Sequence, residues 1–290
     1  MVRRREPSPI GEGSRRSAGE SVPDLVITSR QNPLIQDLRA LLRSSSRRTA
    51  RCVVEGWRVL EAAGAAGAEV DLVVCTPAAA ADPLGAEVAR RLRAGGARLV
   101  TVSAYVFEPL SQVESPQGVL GVARRPPDAS SAVLTGPHAL IAVLDGVQDP
   151  GNVGAILRTA AAAGATGAII AGATADPFGS KAIRASAGAV FRLPLRAFRR
   201  AAEAVEFLRA NGVRVLIADP RGDHLDAQVS YARPLALVLG SEGHGVSPAW
   251  AQGGLRVRIP MAGAAESLNV AATAAILLYR AGGGDDPPGP

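Results

Sequence analysis

LDGVQDPGNVGAILRTAAAAGA, residues 144–165, reads as the end of a strand turning into an alanine-rich helix. At 100° per residue Val153, Ile156, Leu157 and Ala160 share one stripe, the face such a helix turns toward a sheet. Pro150–Gly151–Asn152 opens the helix, and free N–H groups at a helix start favour anions. Two polar residues stand out against this apolar pattern: Asn152 at the start and Arg158 two turns in. Arg158 lies off the stripe, and its neighbours Gly154, Ala155, Ala161 and Ala162 are too small to cover it. The guanidinium is open to a ligand or to another backbone, or it simply snorkels into solvent. The glycines do not make a dinucleotide fingerprint. Gly146, Gly151 and Gly154 depart from G-x-G-x-x-G, and the next acidic residue, Asp176, follows a loop instead of ending a second strand.

Working outward, ALIAVLD (139–145), GAIIAG (167–172), VFRLPL (190–195), VRVLIAD (213–219), LALVLG (235–240) and LRVRIP (255–260) read as strands. Helices are expected over 152–163, 179–186, FRRAAEAVEFLRANG and 267–281. Continuously apolar strands alternating with helices form a parallel sheet covered on both faces. Residues 25–123 alternate on a smaller scale. A helix over 32–44 precedes strand CVVE (52–55), helix WRVLEAAGA, strand VDLVVC (70–75), helix LGAEVARRLRAGG and strand RLVTV (98–102). A short helix near 104–108 and strand GVLGVA (118–123) complete a small α/β/α sandwich. RRPPDASSAVLTGPH (124–138) is read as the linker between the two halves, and residues 1–24 and 282–290 as disordered tails.

The chain has 290 residues, 47% hydrophobic and 20% charged, which suits a soluble globular protein with two cores. A net charge of +6 suits a polyanionic partner. Cys52 and Cys75 sit in apolar runs and read as buried free thiols; no CxxC is present and His138, His224 and His244 are scattered, so no metal is expected. No apolar run approaches the length of a membrane span, and the arginine-rich N-terminus has no apolar core of a secretory signal, so a cytoplasmic location is expected. Arg39, Arg43, Arg47, Arg48 and Arg51, interrupted by serines 44–46, make either a solvated basic face or one that grips RNA phosphates.

Two further segments carry polar residues at strand ends. In LALVLGSEGHGVSP (235–248) a buried strand stops at Gly240, and the glycine-rich loop beyond it lets a backbone approach a ligand closely. It is not a P-loop, because G-x-x-x-x-G-K-[ST] is absent. In VRIPMAGAAESLNVAATAAILLYRA (257–281) the strand stops at Pro260, and Ser267 and Asn269 open an apolar helix, either of them a plausible N-cap.

Taken in this order, DGVQDPGNVGAILRTAAAAGA, LVLGSEGHGVS and IPMAGAAESLNVAATAAILLY resemble the three motifs of the SpoU (TrmH-like) RNA ribose 2′-O-methyltransferases, within the SPOUT superfamily. The likeness covers about residues 139–281. The first half, about residues 25–123, resembles the ribosomal-protein-L30e-like substrate-binding domain that often precedes that catalytic domain, ITSRQNPLIQDLRAL (27–41) and SPQGVLGVARRP (115–126) being similar to its opening and closing segments.

The resemblance implies a parallel sheet whose C-terminal part is tied in a deep trefoil knot. It implies S-adenosylmethionine as co-substrate, bound at Gly240, Ile259 and Leu268 with Glu242 and Met261 adjacent. It also implies a homodimer whose active site is completed across the interface, with Arg158 as base or electrostatic stabiliser and Asn152, Glu242, Ser267 and Asn269 orienting it and the substrate. A guanidinium, with a pKa above about 12, is hard to deprotonate, so stabilising an alkoxide and gripping the adjacent phosphate is the easier role. Structured RNA is the implied partner, ribosomal RNA ahead of transfer RNA; a non-catalytic RNA-binding protein on the same scaffold is the other reading.

Overall fold

The computed structural model describes residues 26–43, 49–263 and 266–283. The basic tail, Arg47, Arg48 and residues 284–290 of the expected C-terminal tail lie outside them. The first half comprises α1 (Pro33–Arg43), β1 (Arg51–Glu55), α2 (Trp57–Ala65), β2 (Val70–Cys75), α3 (Pro77–Ala80), α4 (Pro83–Ala94), β3 (Arg98–Thr101), α5 (Ala104–Phe107) and β4 (Val119–Arg124). Its sheet runs β1-β4-β2-β3, with β4 antiparallel to both neighbours and β2 parallel to β3. Alternation along β2 sends Leu72 and Val74 toward Ile35 and Leu38 of α1, and Val73 and Cys75 toward Leu60 of α2 and Val88 of α4. This is the three-layer sandwich the sequence implied. The short α3 escaped the periodicity, being fixed by its ends instead: Thr76 Oγ1 accepts the Ala79 N–H at 3.2 Å, and Pro77 follows at the first helical position.

The second half holds α6 (Ser131–Thr135), β5 (Leu140–Asp145), α7 (Pro150–Ala162), β6 (Gly167–Ala171), α8 (Ser180–Ala185), β7 (Leu195–Phe198), α9 (Ala201–Ala210), β8 (Arg214–Ala218), β9 (His224–Leu225), β10 (Leu235–Gly240), β11 (Leu255–Arg258) and α10 (Val270–Gly282). The strands order as β7-β6-β5-β10-β8-β11-β9, and every pairing is parallel. Leu140, Ala142 and Leu144 of β5 pack with Val153, Ile156 and Leu157 of α7 and with Leu277 and Leu278 of α10. Ile141 and Val143 face the opposite layer, with Ala204 and Leu208 of α9. Because all strands run one way, their carboxyl ends, and the loops that follow, gather along a single edge.

Three sequence expectations change. The strand expected at 190–195 is a 3₁₀ turn, Ala189–Phe191, followed by β7 one turn later. Val190 and Phe191 fill the core, with Phe191 6.1 Å from the Phe178 ring, so this apolar run packs a core instead of pairing in a sheet. The expected linker contains α6, with Leu134 fully buried. The last helix begins at Val270, because the Asn269 side chain accepts the N–H groups of Ala271 at 2.8 Å and Ala272 at 3.4 Å; Ser267 stays outside. The halves meet where α8 lies on β1, with Arg184 3.5 Å from Glu55 and Arg125 2.9 Å from Asp176. Among the described residues no helix is long and apolar enough to cross a membrane.

Candidate active site

Three loops at the carboxyl edge build the site: those after β5, β10 and β11. β5 and β10 are adjacent, with Gly240 opposite Asp145, so two of the loops start side by side. The β10 loop doubles back at once. The Ser241 N–H donates to Gly245 O at 2.9 Å, and the Gly245 N–H returns to Ser241 O at 3.0 Å, with Gly245 at φ 68°. A Cβ on Gly240 would fall 2.2 Å from the Gly245 carbonyl carbon and 2.3 Å from the Val246 nitrogen, so only glycine allows the loop to lie this close. Buried Asp145 anchors its far end, its Oδ2 accepting the Ser247 N–H at 2.6 Å.

A polar chain then stitches the three loops together. Asn152 Nδ2 donates to Glu242 Oε1 at 2.7 Å, and Asn269 Nδ2 donates to Asn152 Oδ1 at 3.2 Å. The Gln148 N–H donates to Glu242 Oε2 at 3.4 Å. Burial pushes the Glu242 carboxyl up, but the Asn152 amide and the N–H groups of Glu242 itself, Gln148 and Asp149 outweigh it and hold the pKa below the ordinary carboxylate value. At the start of α7, Asp149 is also held low, chiefly by Lys181 Nζ at 2.7 Å and by the Gly151 N–H.

Beside this chain lies a cavity of about 870 Å³ that Gly240, Glu242, Ile259, Met261 and Leu268 all line, with Ser267 at its exposed rim. Those are the five positions at which the resemblance places the cofactor. Sequence reasoning missed a further wall, from Asp219, Arg221 and Arg256. Asp219 pairs with Arg256. Burial raises its carboxyl pKa, yet the Arg221 N–H and the Arg256 guanidinium bring it below the ordinary value. The Asp-Pro-Arg-Gly turn after an apolar strand was the available signal. The place of β8 between β10 and β11, which brings that turn to the cavity, cannot be read along the chain.

The cavity suits S-adenosylmethionine. Its volume is that of a small-molecule pocket, Ile259 and Leu268 offer apolar walls, and the open backbone at Gly243 can meet a nucleoside closely. Among the described residues no cluster of His, Cys, Asp or Glu is arranged to hold a metal.

Arg158 is not part of this assembly. It is exposed on α7, about 9 Å further along the helix axis than Asn152. It lines a separate depression of about 540 Å³ together with Arg192. Ala161 and Ala162 line it with Arg158, while Gly154, one turn back on the helix, packs against α8, where a Cβ would lie 2.3 Å from Ala182 O. Of the expected RNA-gripping arginines, Arg39 and Arg43 lie on α1, half-buried and exposed respectively, whereas Arg51 is tied to Asp71 at 3.0 Å.

Comparison with known proteins agrees with this geometry. Residues 139–279 match the SpoU rRNA Methylase family, and residues 32–121 match the MRM3-like substrate binding domain. An uncharacterized tRNA/rRNA methyltransferase of Synechocystis sp. (slr1673) is 33% identical, the match covering 88% of this chain and 92% of that protein. A 23S rRNA (uridine(2479)-2′-O)-methyltransferase of Streptomyces viridochromogenes is 30% identical, over 92% of this chain and 95% of its own. The crystal structure of an AdoMet-bound rRNA methyltransferase from Sinorhizobium meliloti superimposes with a TM-score of 0.78 at 31% identity, covering 88% of this chain and 96% of that one. With two domains matched in order and full-length relatives at this identity, the chain belongs to the SpoU family of RNA methyltransferases.

Proposed function

We propose that this chain is an S-adenosylmethionine-dependent methyltransferase acting on ribose 2′-hydroxyls of ribosomal RNA, in the cytoplasm and as a homodimer. The observation that carries the reading is the chain Glu242–Asn152–Asn269 at the mouth of the cavity, which fixes polar groups from three loops around one opening. When bound, S-adenosylmethionine supplies a sulfonium-activated methyl group. Gly240, Ile259, Met261 and Leu268 would hold its nucleoside. Glu242 stays ionised and, through Asn152, keeps the site's amides in one orientation; Ser267 and Asn269 position the ribose.

The 2′-hydroxyl is a poor nucleophile, so alignment has to be matched by charge stabilisation at the oxygen. Arg158 provides that charge and holds the neighbouring phosphate, acting as a permanent cation and not as a base. Since Arg158 sits two turns from its own chain's site, it serves the site of a second copy, with α7 and α10 near the two-fold interface. Ribosomal RNA is favoured over transfer RNA because the Streptomyces and Sinorhizobium relatives carry that activity in their names and match nearly the full chain.

Incubation with methyl-tritiated S-adenosylmethionine and total RNA tests the reading. Label is expected in ribosomal RNA and, after nuclease digestion, in a 2′-O-methylnucleoside. Calorimetric binding of the cofactor without any labelled RNA would favour a non-catalytic RNA-binding protein instead.

A further inference from the structure

The depression around Arg158 holds a second cation that neither the motifs nor the polar chain explains. Arg158 and Arg192 are the two charged residues lining it, and the rest of the wall is alanine, Ser186, Leu193 and Pro194. No carboxylate lines it. Other arginines nearby meet acids: Arg184 meets Glu55, Arg125 meets Asp176 and Arg280 meets Asp226. Neither Arg158 nor Arg192 has such a partner among the described residues. Ser186 has already committed its hydroxyl to Ile183 O at 2.8 Å, which leaves the two guanidiniums as the polar side chains free to meet a ligand.

The backbone that carries Arg192 is anchored on both sides. Arg192 caps the 3₁₀ turn Ala189–Phe191, and its neighbours Phe191 and Leu193 are buried while Arg192 itself is exposed. The chain reaches this turn through Ala187, whose φ of 48° is the one positive value at a non-glycine residue among those described. Gly188 follows at φ 79°, and a Cβ there would strike Ala62 at 2.7 Å. A left-handed alanine is an unfavourable conformation that surrounding structure must impose. Here it turns α8 sharply so that the two apolar neighbours of Arg192 point inward and the arginine points into the depression.

Two like charges converging on one concave surface without an acid repel each other until an anion lies between them. A phosphodiester accepts forked N–H donors from two guanidiniums at once. The geometry points to Arg192 as a second RNA-positioning residue, which together with Arg158 clamps a backbone phosphodiester of the substrate. The inference rests on the methyltransferase reading above and adds to it a residue outside the three motifs. Whatever brings Arg158 to a ribose brings Arg192 to the phosphate beside it, and the pair fixes the register of the RNA before transfer.

Arg192→Ala and Arg192→Lys test this against wild type, with Arg209→Ala, on a distant face and paired with Glu206, as control. Filter binding and steady-state methylation use unmethylated 23S rRNA transcribed in vitro, across a salt series. Arg192→Ala is expected to weaken RNA binding and raise KM for RNA about tenfold, with a smaller change in kcat. The slope of log affinity against log salt should fall by about 0.7–0.9, one phosphate contact. Arg192→Lys should recover part of the affinity and the salt slope, since it restores the charge without the fork; cofactor affinity should not move. RNA affinity and salt slope equal to wild type would overturn the proposal. So would loss of the dimer in sedimentation with unchanged RNA binding per subunit, which would make Arg192 an interface residue meeting an acid of the second copy. Absence of methyl transfer by the wild type would strike the enzymatic reading alone, because the binding and salt measurements still judge Arg192.

Discussion

The two ends of α7 differ in a way that divides the labour of the site. At its first turn Asn152 is locked on both sides, by Glu242 of the β10 loop and Asn269 at the start of α10. Two turns on, Arg158 is exposed, has no ion-pair partner among the described residues, and lines a separate depression that shares no residue with that chain of bonds. One polar residue is completed within its own chain; the other is presented outward. A helix that packs Val153, Ile156 and Leu157 so fully cannot flex to bring the two together, so it holds Asn152 and Arg158 at a fixed separation.

The largest expected effect comes from the outward end. Arg158→Ala should lower kcat for methyl transfer about 10²–10³-fold, as loss of a charge-stabilising donor does, while the calorimetric affinity for S-adenosylmethionine stays within about twofold. A matching loss of cofactor affinity would place Arg158 in its own cavity and erase the contrast. Next comes Gly240→Ala. Its methyl group would meet the Gly245 backbone at 2.2 Å, so the β10 loop must move; the expected result is a stability loss of about 1–3 kcal/mol in denaturant unfolding, with weakened cofactor binding.

The smallest effect is at Asn152. Asn152→Ala should reduce activity about tenfold, the loss expected for a hydrogen bond to a charged group, and it should change the pH dependence of stability. The Glu242 pKa is lowered in the folded protein, so its stabilising contribution is present above the ordinary carboxylate pKa and lost as pH falls through the folded value. Removing the Asn152 amide brings the two values closer. Thermal unfolding should therefore show the variant less stable near neutrality, the gap closing once pH drops below the folded pKa. A gap that is constant with pH would mean that Asn152 supports the loops by shape alone.

How legible this was depended on the range of each interaction. Apolar runs and helical stripes marked nearly every long element, because burial on both faces of a parallel sheet leaves a strong pattern. Short elements left none: α3 depends on the Thr76 cap, β9 on two pairings to β11, and α6 buries Leu134. At 190–195 the composition was right for a strand but Phe191 was needed in the core. Asn152, Glu242 and Asn269 were each equally well explained as helix starts and turns until the order of three segments, as a family resemblance, drew them together. Asp219, Arg256 and Arg192 stayed hidden because strand order and a left-handed turn, not local sequence, bring them to their cavities.

Mixing two inactive proteins measures the division of labour along α7 most directly. Subunits carrying Arg158→Ala and subunits carrying Asn152→Glu, a change that sets a second carboxylate against Glu242, are unfolded together and refolded as a random mixture. Half the dimers then contain one of each, and each such dimer has one site with both groups intact if Arg158 acts on the partner's cavity. Transfer of labelled methyl to ribosomal RNA should return to about a quarter of the wild-type rate, as two-fold symmetry requires. A mixture as inactive as its two components would show that Asn152 and Arg158 must belong to the same chain, and would contradict the account.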